Sequence, residues 1–172
     1  MVEEELLWLG ERASECDQVV ELGSWKGRSA FVLGTYVKGT CICIDTFNGT
    51  TGENTVGGPY EEALLENGNA IFRQFMENTC DLQACSKITV MRCCGEDACK
   101  LLIGKRFDMI FIDAAHDFDS VVKDITMFKP LVKPGGILCG HDYFHHRMAE
   151  AVLAAGIAKD GLVGSIWWKK LL

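Results

Sequence analysis

The sequence predicts a single α/β domain over residues 1–172, with a doubly wound, mostly parallel sheet and helices on both of its faces. Short apolar runs typical of strands alternate with helix-like segments along the whole chain. These runs are apolar throughout rather than at alternate positions, which indicates strands buried on both faces of a parallel sheet. A chain of 172 residues can bury such a core without disulfide or metal staples.

The first half of the chain supplies two strands, three helices and one long loop. Residues 3–14 predict an amphipathic helix, whose acidic first turn suits the positive end of the helix dipole. Apolar runs at 18–22 and 41–44 predict buried strands. The remaining predictions are a helix over 27–37, a polar, glycine-rich loop over 48–59 and a helix over 60–78.

The second half continues the alternation. Residues 107–112 are almost continuously apolar and predict another buried strand. Pro134, Gly135 and Gly136 predict a turn that leads into a strand at 137–139. The other predicted elements are strands at 87–92 and 165–169 and helices at 96–103, 117–128 and 146–155.

The composition narrows the classes of partner. A formal net charge of −7 without any basic run argues against nucleic acid, because phosphate binding needs clustered cations. No apolar run reaches the roughly 18 residues of a membrane span, and the first residues lack the features of a secretory signal. The nine cysteines contain no C-x-x-C pair and are expected to be reduced thiols. We therefore expect a cytoplasmic protein that binds neither nucleic acid nor a membrane.

Polar side chains follow nearly every predicted strand. Open α/β sheets bind ligands at the carboxyl ends of their strands, near the point where the strand order reverses. A sheet that served only as a scaffold would not need a carboxylate at nearly every such end. The segments at these ends are Glu21–Gly27, Asp45–Phe47, Cys94–Asp97, Asp113–His116 and His141–Tyr143.

The turn after the first strand indicates the class of cofactor. Dinucleotide-binding turns follow the pattern G-x-G-x-x-G, which lets the backbone approach a pyrophosphate. Here Gly23 and Gly27 are present, but Trp25 occupies the place of the middle glycine. An indole there obstructs a diphosphate and leaves room for S-adenosylmethionine (SAM), which has none. Glu21 can face the cationic methionine end, directly or through water, and Asp45 can accept bonds from two ribose hydroxyls.

Four segments together resemble class I SAM-dependent methyltransferases, which have a Rossmann-like fold. Within that class the chain is similar to the family called methyltransferase type 24, which resembles catechol and macrolide-sugar O-methyltransferases. The segments that carry the resemblance are 20–29, 44–47, 107–116 and 131–143.

The resemblance implies a cofactor site along the first four strand ends. The methionine part is expected at the first turn, the ribose at Asp45, and the edge of the adenine at the third strand end. The expected cofactor contacts are Glu21, Gly23, Ser24, Trp25, Gly27, Ser29, Asp45, Thr46, Gly95, Glu96, Asp97 and Asp113.

The resemblance also implies a catalytic group and leaves the use of a metal open. Relatives that methylate hydroxyls hold a divalent cation with an acid after the fourth strand and two residues after the fifth, where this chain has Asp113, His141 and Asp142. Two carboxylates suit Mg²⁺, whereas an imidazole suits Mn²⁺, Zn²⁺ or Fe²⁺ better. His116 is expected to be the general base, and Asp113 and Asp142 are the other expected catalytic residues; the alternative for His116 is a histidine that caps the next helix.

The expected function is therefore methyl transfer from SAM to a hydroxyl of a small molecule, with a divalent cation (Mg²⁺ or Mn²⁺) as an open option. A homodimer could complete the acceptor site of so short a chain. Two alternatives remain at this point. One is a nicotinamide-dependent oxidoreductase, which Trp25 disfavours, and the other is a SAM-binding module without catalysis.

Overall fold

The structure is a computed structural model that describes residues 1–49, 61, 67–145 and 147–172. The predicted loop at 48–59 and the first part of the predicted helix at 60–78 lie largely outside the described residues. His146, the predicted first residue of a later helix, also lies outside them.

The described residues contain one seven-stranded sheet in the order β3-β2-β1-β4-β5-β7-β6. Strands β1 to β5 pair in parallel, and β7 runs antiparallel to both β5 and β6. This confirms the predicted doubly wound, mostly parallel sheet, whose order reverses between β1 and β4. The strands are β1 (Gln18–Leu22), β2 (Thr40–Ile44), β3 (Ile88–Met91), β4 (Phe107–Ile112), β5 (Val132–Gly140), β6 (Gly161–Val163) and β7 (Ile166–Lys170).

Helices cover both faces of the sheet and enclose two apolar clusters. One cluster packs α1, α2 and α3 against the sheet, and the other packs α5, α6 and α7 against the opposite face. The two layers place the carboxyl ends of the parallel strands along one open rim. The helices are α1 (Glu3–Ala13), α2 (Arg28–Tyr36), α3 (Asn69–Asn78), α4 (Cys80–Ala84), α5 (Gly95–Leu101), α6 (Phe118–Phe128) and α7 (Met148–Ala154).

Three local predictions differ from the structure. Helix α3 begins at Asn69, directly after Gly68, which has a left-handed φ of +78°. The prediction of a turn at 134–136 before the fifth strand is wrong, because β5 already begins at Val132. The Pro-Gly-Gly segment is an irregularity inside β5, which shifts its register against β4. Helix α4 and strand β6 were not predicted, since elements of 5 and 3 residues carry almost no periodicity.

Two further features bear on earlier expectations. All nine cysteines lie in described residues and are free thiols, and Cys16, Cys41, Cys43 and Cys139 are buried as small apolar side chains. Among the helices of the described residues, none combines the length and the apolar character that crossing a membrane requires.

Candidate active site

An open cleft of about 670 Å³ lies over the carboxyl ends of the parallel strands. Its wall brings together most of the site residues expected from the sequence. These are Gly23, Ser24, Trp25, Ser29, Asp45, Thr46, Gly95, Glu96, Asp113, His116, His141 and Asp142. Three other expected residues, Glu21, Gly27 and Asp97, are not part of this wall.

The turn after β1 is held by the carboxylate of Asp45. One oxygen, Oδ2, accepts the backbone N–H groups of Ser24 and Trp25 at 2.8 and 2.7 Å. The other, Oδ1, accepts the N–H of Phe47 at 2.6 Å. Trp25 has a left-handed φ of +46°, which these bonds maintain. Asp45 therefore shapes the turn before any ligand arrives.

Gly23 is required where β1 meets β4. Its φ is +91°, and an added Cβ would overlap the backbone carbonyl of Asp113. The backbones at the ends of β1 and β4 thus approach each other closely, and only a residue without a side chain fits between them.

Glu21 lies beneath the turn rather than in the cleft wall. Its side chain is fully buried, and its Oε2 accepts the hydroxyl of Ser24 at 2.5 Å. The other oxygen, Oε1, has no hydrogen-bond partner among the described residues. Burial raises the pKa of Glu21 to about 7 against the opposing effect of the Ser24 bond. A contact between Glu21 and a ligand would therefore run through Ser24.

The end of the cleft between β3 and α6 carries carboxylates with different surroundings. Glu96 accepts from Lys123 at 2.7 Å and pairs with Lys100 at 3.4 Å. Asp97 pairs with Lys100 at 3.0 Å on the outer side of α5. Asp124 of α6 lines the cleft, and burial raises the pKa of Asp124 to about 6.

A charged cluster occupies the ends of β4 and β5. The carboxylate of Asp142 lies between two imidazoles: its Oδ2 is 3.2 Å from Nε2 of His116, and its Oδ1 is 3.0 Å from Nδ1 of His141. The same Nδ1 is 3.6 Å from Oδ1 of Asp113. The bonds to His116 and His141 hold the pKa of Asp142 far below its ordinary value. Burial acts in the opposite direction on Asp113 and raises its pKa to about 6.

His141 is oriented by a residue from the other end of the chain. Glu5 of α1 is almost fully buried, and its Oε2 is 3.2 Å from Nε2 of His141. The same carboxylate accepts the N–H groups of Ser165 and Val2, each at 2.7 Å. Although burial raises the pKa of Glu5, these bonds and the nearby His141 outweigh burial and lower it. Nε2 of His141 thus faces an acceptor, and Nδ1 faces the cleft.

Asp113, His141 and Asp142 fit the donor set of a divalent cation. Each offers one ligand atom, and the three atoms lie within 4.8 Å of one another. Two carboxylate oxygens and one imidazole nitrogen form a mixed set that suits Mn²⁺ or a similar transition metal better than Mg²⁺. The contact of Nε2 with Glu5 is the kind of outer support that metal-binding histidines have in proteins.

The structure bears on one of the two expectations for His116, that it caps the next helix. Asp117, not His116, caps α6: its Oδ1 accepts the N–H of Ser120 at 3.0 Å. His116 instead faces Asp142, and its ring centroid is 5.7 Å from that of His145.

Glu5 and Asp124 were not among the site residues expected from the sequence. The acid in the first turn of α1 was explained by the helix dipole, and nothing local links it to a histidine 136 residues away. No local pattern marks Asp124 either, because it reaches the third strand end only through the packing of α6.

Comparisons with known proteins agree with this geometry. A family model described as a methyltransferase domain matches residues 20–143. A search of curated proteins found no match. A cofactor-bound protein from MTB is 17% identical, with a TM-score of 0.65 over 90% of this chain and 66% of that chain.

Two O-methyltransferases solved with cofactor are also similar in fold. The enzyme TomG of Streptomyces achromogenes, in complex with SAM, is 13% identical, with a TM-score of 0.69 over 100% of this chain and 82% of that chain. An O-methyltransferase from Bacillus cereus, in complex with SAH, is 14% identical, with a TM-score of 0.65 over 98% of this chain and 81% of that chain. The family match covers well over half of the residues, and the fold is shared. The chain therefore belongs to this methyltransferase-domain family and has the fold of the class I SAM-dependent methyltransferases.

Proposed function

We propose that this protein transfers the methyl group of SAM to a hydroxyl group of a small molecule. The observation that carries the proposal is one continuous cleft in which the Asp45-supported turn adjoins the His116–Asp142 pair. One end offers the polar turn expected for an amino acid joined to a nucleoside. The other offers a base beside the place where the methyl group would leave.

The cofactor would be held by the first turn and the second strand end. The methionine part lies against the backbone of Gly23, Ser24 and Trp25, and the buried Glu21 acts on it through Ser24. A carboxylate offers about four acceptor positions, and Asp45 already uses three of them on backbone N–H groups. Asp45 would therefore accept one ribose hydroxyl rather than two.

The chemical step is a displacement in line with the S–CH₃ bond. The acceptor oxygen forms the new O–CH₃ bond while the bond to sulfur breaks, and SAH leaves with the electron pair. His116 takes the hydroxyl proton. Asp142, which lies 3.2 Å from Nε2 of His116, orients the ring and stabilises the imidazolium that forms.

A divalent cation would be bound by Asp113, His141 and Asp142. Bound there, it would make an acceptor hydroxyl more acidic. The chain's own contribution is to hold these three groups close together, with His141 turned by Glu5 so that Nδ1 faces Asp113 and Asp142. A mixed N/O donor set predicts tighter binding of Mn²⁺ than of Mg²⁺.

Titration calorimetry with SAH, SAM and NAD tests the cofactor class. We expect heat from SAH and SAM and none from NAD. Binding of NAD without SAH would favour the oxidoreductase, and absence of any SAH heat would refute the proposal.

Transfer of a labelled methyl group from SAM to a panel of phenols and sugars tests catalysis. For an accepted substrate, His116→Gln should lower kcat by about 10² to 10⁴ and leave the Kd for SAH nearly unchanged. Asp119→Asn, at an exposed carboxylate in the first turn of the helix that follows His116, is the matched control. A protein that binds SAH but accepts no substrate would instead fit a binding module without catalysis, and activity that persists in His116→Gln would exclude His116 as the base. Homodimer formation and the cytoplasmic location stay predictions.

A further inference from the structure

The cleft end between β3 and α6 combines apolar walls with one carboxylate, that of Asp124, which accepts no hydrogen bond from the residues that the structure describes. Cys93 and Met127 line this end, and Leu22 lies at its floor. An added Cβ on Gly95 would be 3.2 Å from Leu22 and 3.3 Å from Oδ1 of Asp124. The Asp124 carboxylate thus lies directly beside the backbone of the third strand end. A flat ring placed between these walls would have its edge near Asp124.

Asp124 differs from the other two acids at this end in how its oxygens are used. Glu96 is bound to Lys123 and Lys100, and Asp97 is bound to Lys100 on the outer side of α5. In the part of the chain that the structure describes, Asp124 accepts no hydrogen bond and forms no ion pair. A half-buried carboxylate without a donor is costly, and a bound ligand that brings an N–H group would satisfy it.

The adenine expected at this end of the cleft can supply such a donor. The adenine edge presents an exocyclic amino group, which donates two hydrogen bonds, on an otherwise flat and largely apolar ring. Glu96 and Asp97, the acids expected from the sequence, are already satisfied by lysines.

We propose that Asp124 is the residue that selects a 6-aminopurine cofactor, by accepting a hydrogen bond from the exocyclic amino group. This rests on the proposed function, because it requires that the cleft binds a SAM-like nucleoside with its base at the β3 end. Burial raises the pKa of Asp124 to about 6. A hydrogen bond donated to the carboxylate by a ligand would lower this pKa again. The role belongs to binding and specificity, not to the methyl transfer itself.

Two ligands that differ at the 6-position, and in the hydrogen carried by the adjoining N1 of the 6-oxo base, provide the test. SAH carries the 6-amino group, and S-inosyl-L-homocysteine carries a 6-oxo group, which places an acceptor against the carboxylate. Titration calorimetry should show that the wild-type protein binds SAH at least about tenfold more tightly than the 6-oxo ligand, the ratio expected for a bond to a charged group. Equal affinities in the wild-type protein would overturn the inference without any variant.

The variant Asp124→Asn sharpens the test. Its amide can donate to a 6-oxo group, so the preference for SAH should fall to about unity or reverse. Asp119→Asn, on the exposed side of the same helix, should keep the wild-type ratio. A ratio that stays unchanged in Asp124→Asn refutes the role of Asp124 and leaves the proposed function intact. Failure of the wild-type protein to bind SAH refutes both.

Discussion

The two halves of the cleft are held in place by different kinds of contact. The cofactor half, Gly23–Ser29 with Asp45, is built from backbone geometry and from bonds between the ends of two neighbouring strands, β1 and β2. The acceptor half consists of Asp113, His116, His141 and Asp142, whose charged side chains depend on one another and on Glu5. The first half is held by bonds to backbone N–H groups. The second half is held by contacts between charged side chains, which a single substitution can change.

The largest expected effect comes from the contact between the two halves. Gly23→Ala would force a side chain into the backbone of Asp113 at a φ of +91°, and should cost about 4 kcal/mol of unfolding free energy or abolish folding. Urea denaturation measures this. Gly104→Ala is the matched control: its φ is +82° with open space around it, so only the left-handed backbone penalty of about 1–2 kcal/mol applies. Equal losses in both variants would show that the strand ends are not closely packed.

The next effect is a pH dependence of the free energy of unfolding, which comes from Glu21 beneath the cofactor half. The pKa of Glu21 is raised from 4.5 to about 7, so the folded state favours the protonated acid, and stability falls as the pH rises between these values. Relative to Glu21→Gln, the wild-type protein should lose about 3 kcal/mol across this window, because Gln cannot ionise. Chemical denaturation at several pH values checks this. Parallel stability curves for the two proteins would contradict the burial of an ionisable Glu21.

A smaller effect is expected from the anchor of the acceptor half. Glu5→Gln weakens the acceptor for His141 and for two backbone N–H groups, and should cost about 2 kcal/mol. The imidazole nitrogen signals of His141 in an NMR spectrum should shift as well, since its Nε2 loses a carboxylate partner. Glu4→Gln, at the exposed neighbouring position, should change neither quantity. An unperturbed His141 spectrum in Glu5→Gln would show that the ring is held by Asp142 alone.

The smallest effect is expected from the ion pairs that Lys100 forms on the outer side of α5. Lys100→Ala removes contacts to Asp97 and Glu96 that are fully open to solvent, and exposed ion pairs contribute little. The urea midpoint should stay within experimental error, at low salt and at 0.5 M salt, in contrast to the three variants above. A clear loss at low salt only would indicate that the lysines support α5 electrostatically.

The contrast between the two halves of the cleft also explains which features the sequence could predict and which it could not. The alternation of strands and helices follows from apolar runs, and the cofactor half follows from a glycine turn and an acid placed directly after strands. Local patterns of this kind are readable because the contacting residues are neighbours in the chain or at adjacent strand ends. The expected bidentate role of Asp45 was harder to judge, because its bonds to three backbone N–H groups depend on the folded turn.

The contacts that sequence reasoning missed all join distant elements. Glu5 reaches His141 only after α1 packs on its face of the sheet, and Asp124 faces the third strand end only because α6 crosses the sheet. The irregular start of β5 was misjudged for a related reason, since Pro-Gly-Gly usually ends a strand. Here the N–H of Gly135 bonds to the carbonyl of Leu171, near the end of the chain.

The carboxylate of Glu5 touches three places that are far apart in the order of synthesis: Val2, His141 and Ser165. A ribosome delivers Glu5 well before His141 and Ser165. The Glu5 carboxylate can therefore complete its contacts only after Ser165 has been added to the chain. The bonds of the Asp45-supported turn join residues that are made much earlier, so the support of His141 is completed later in synthesis than that turn.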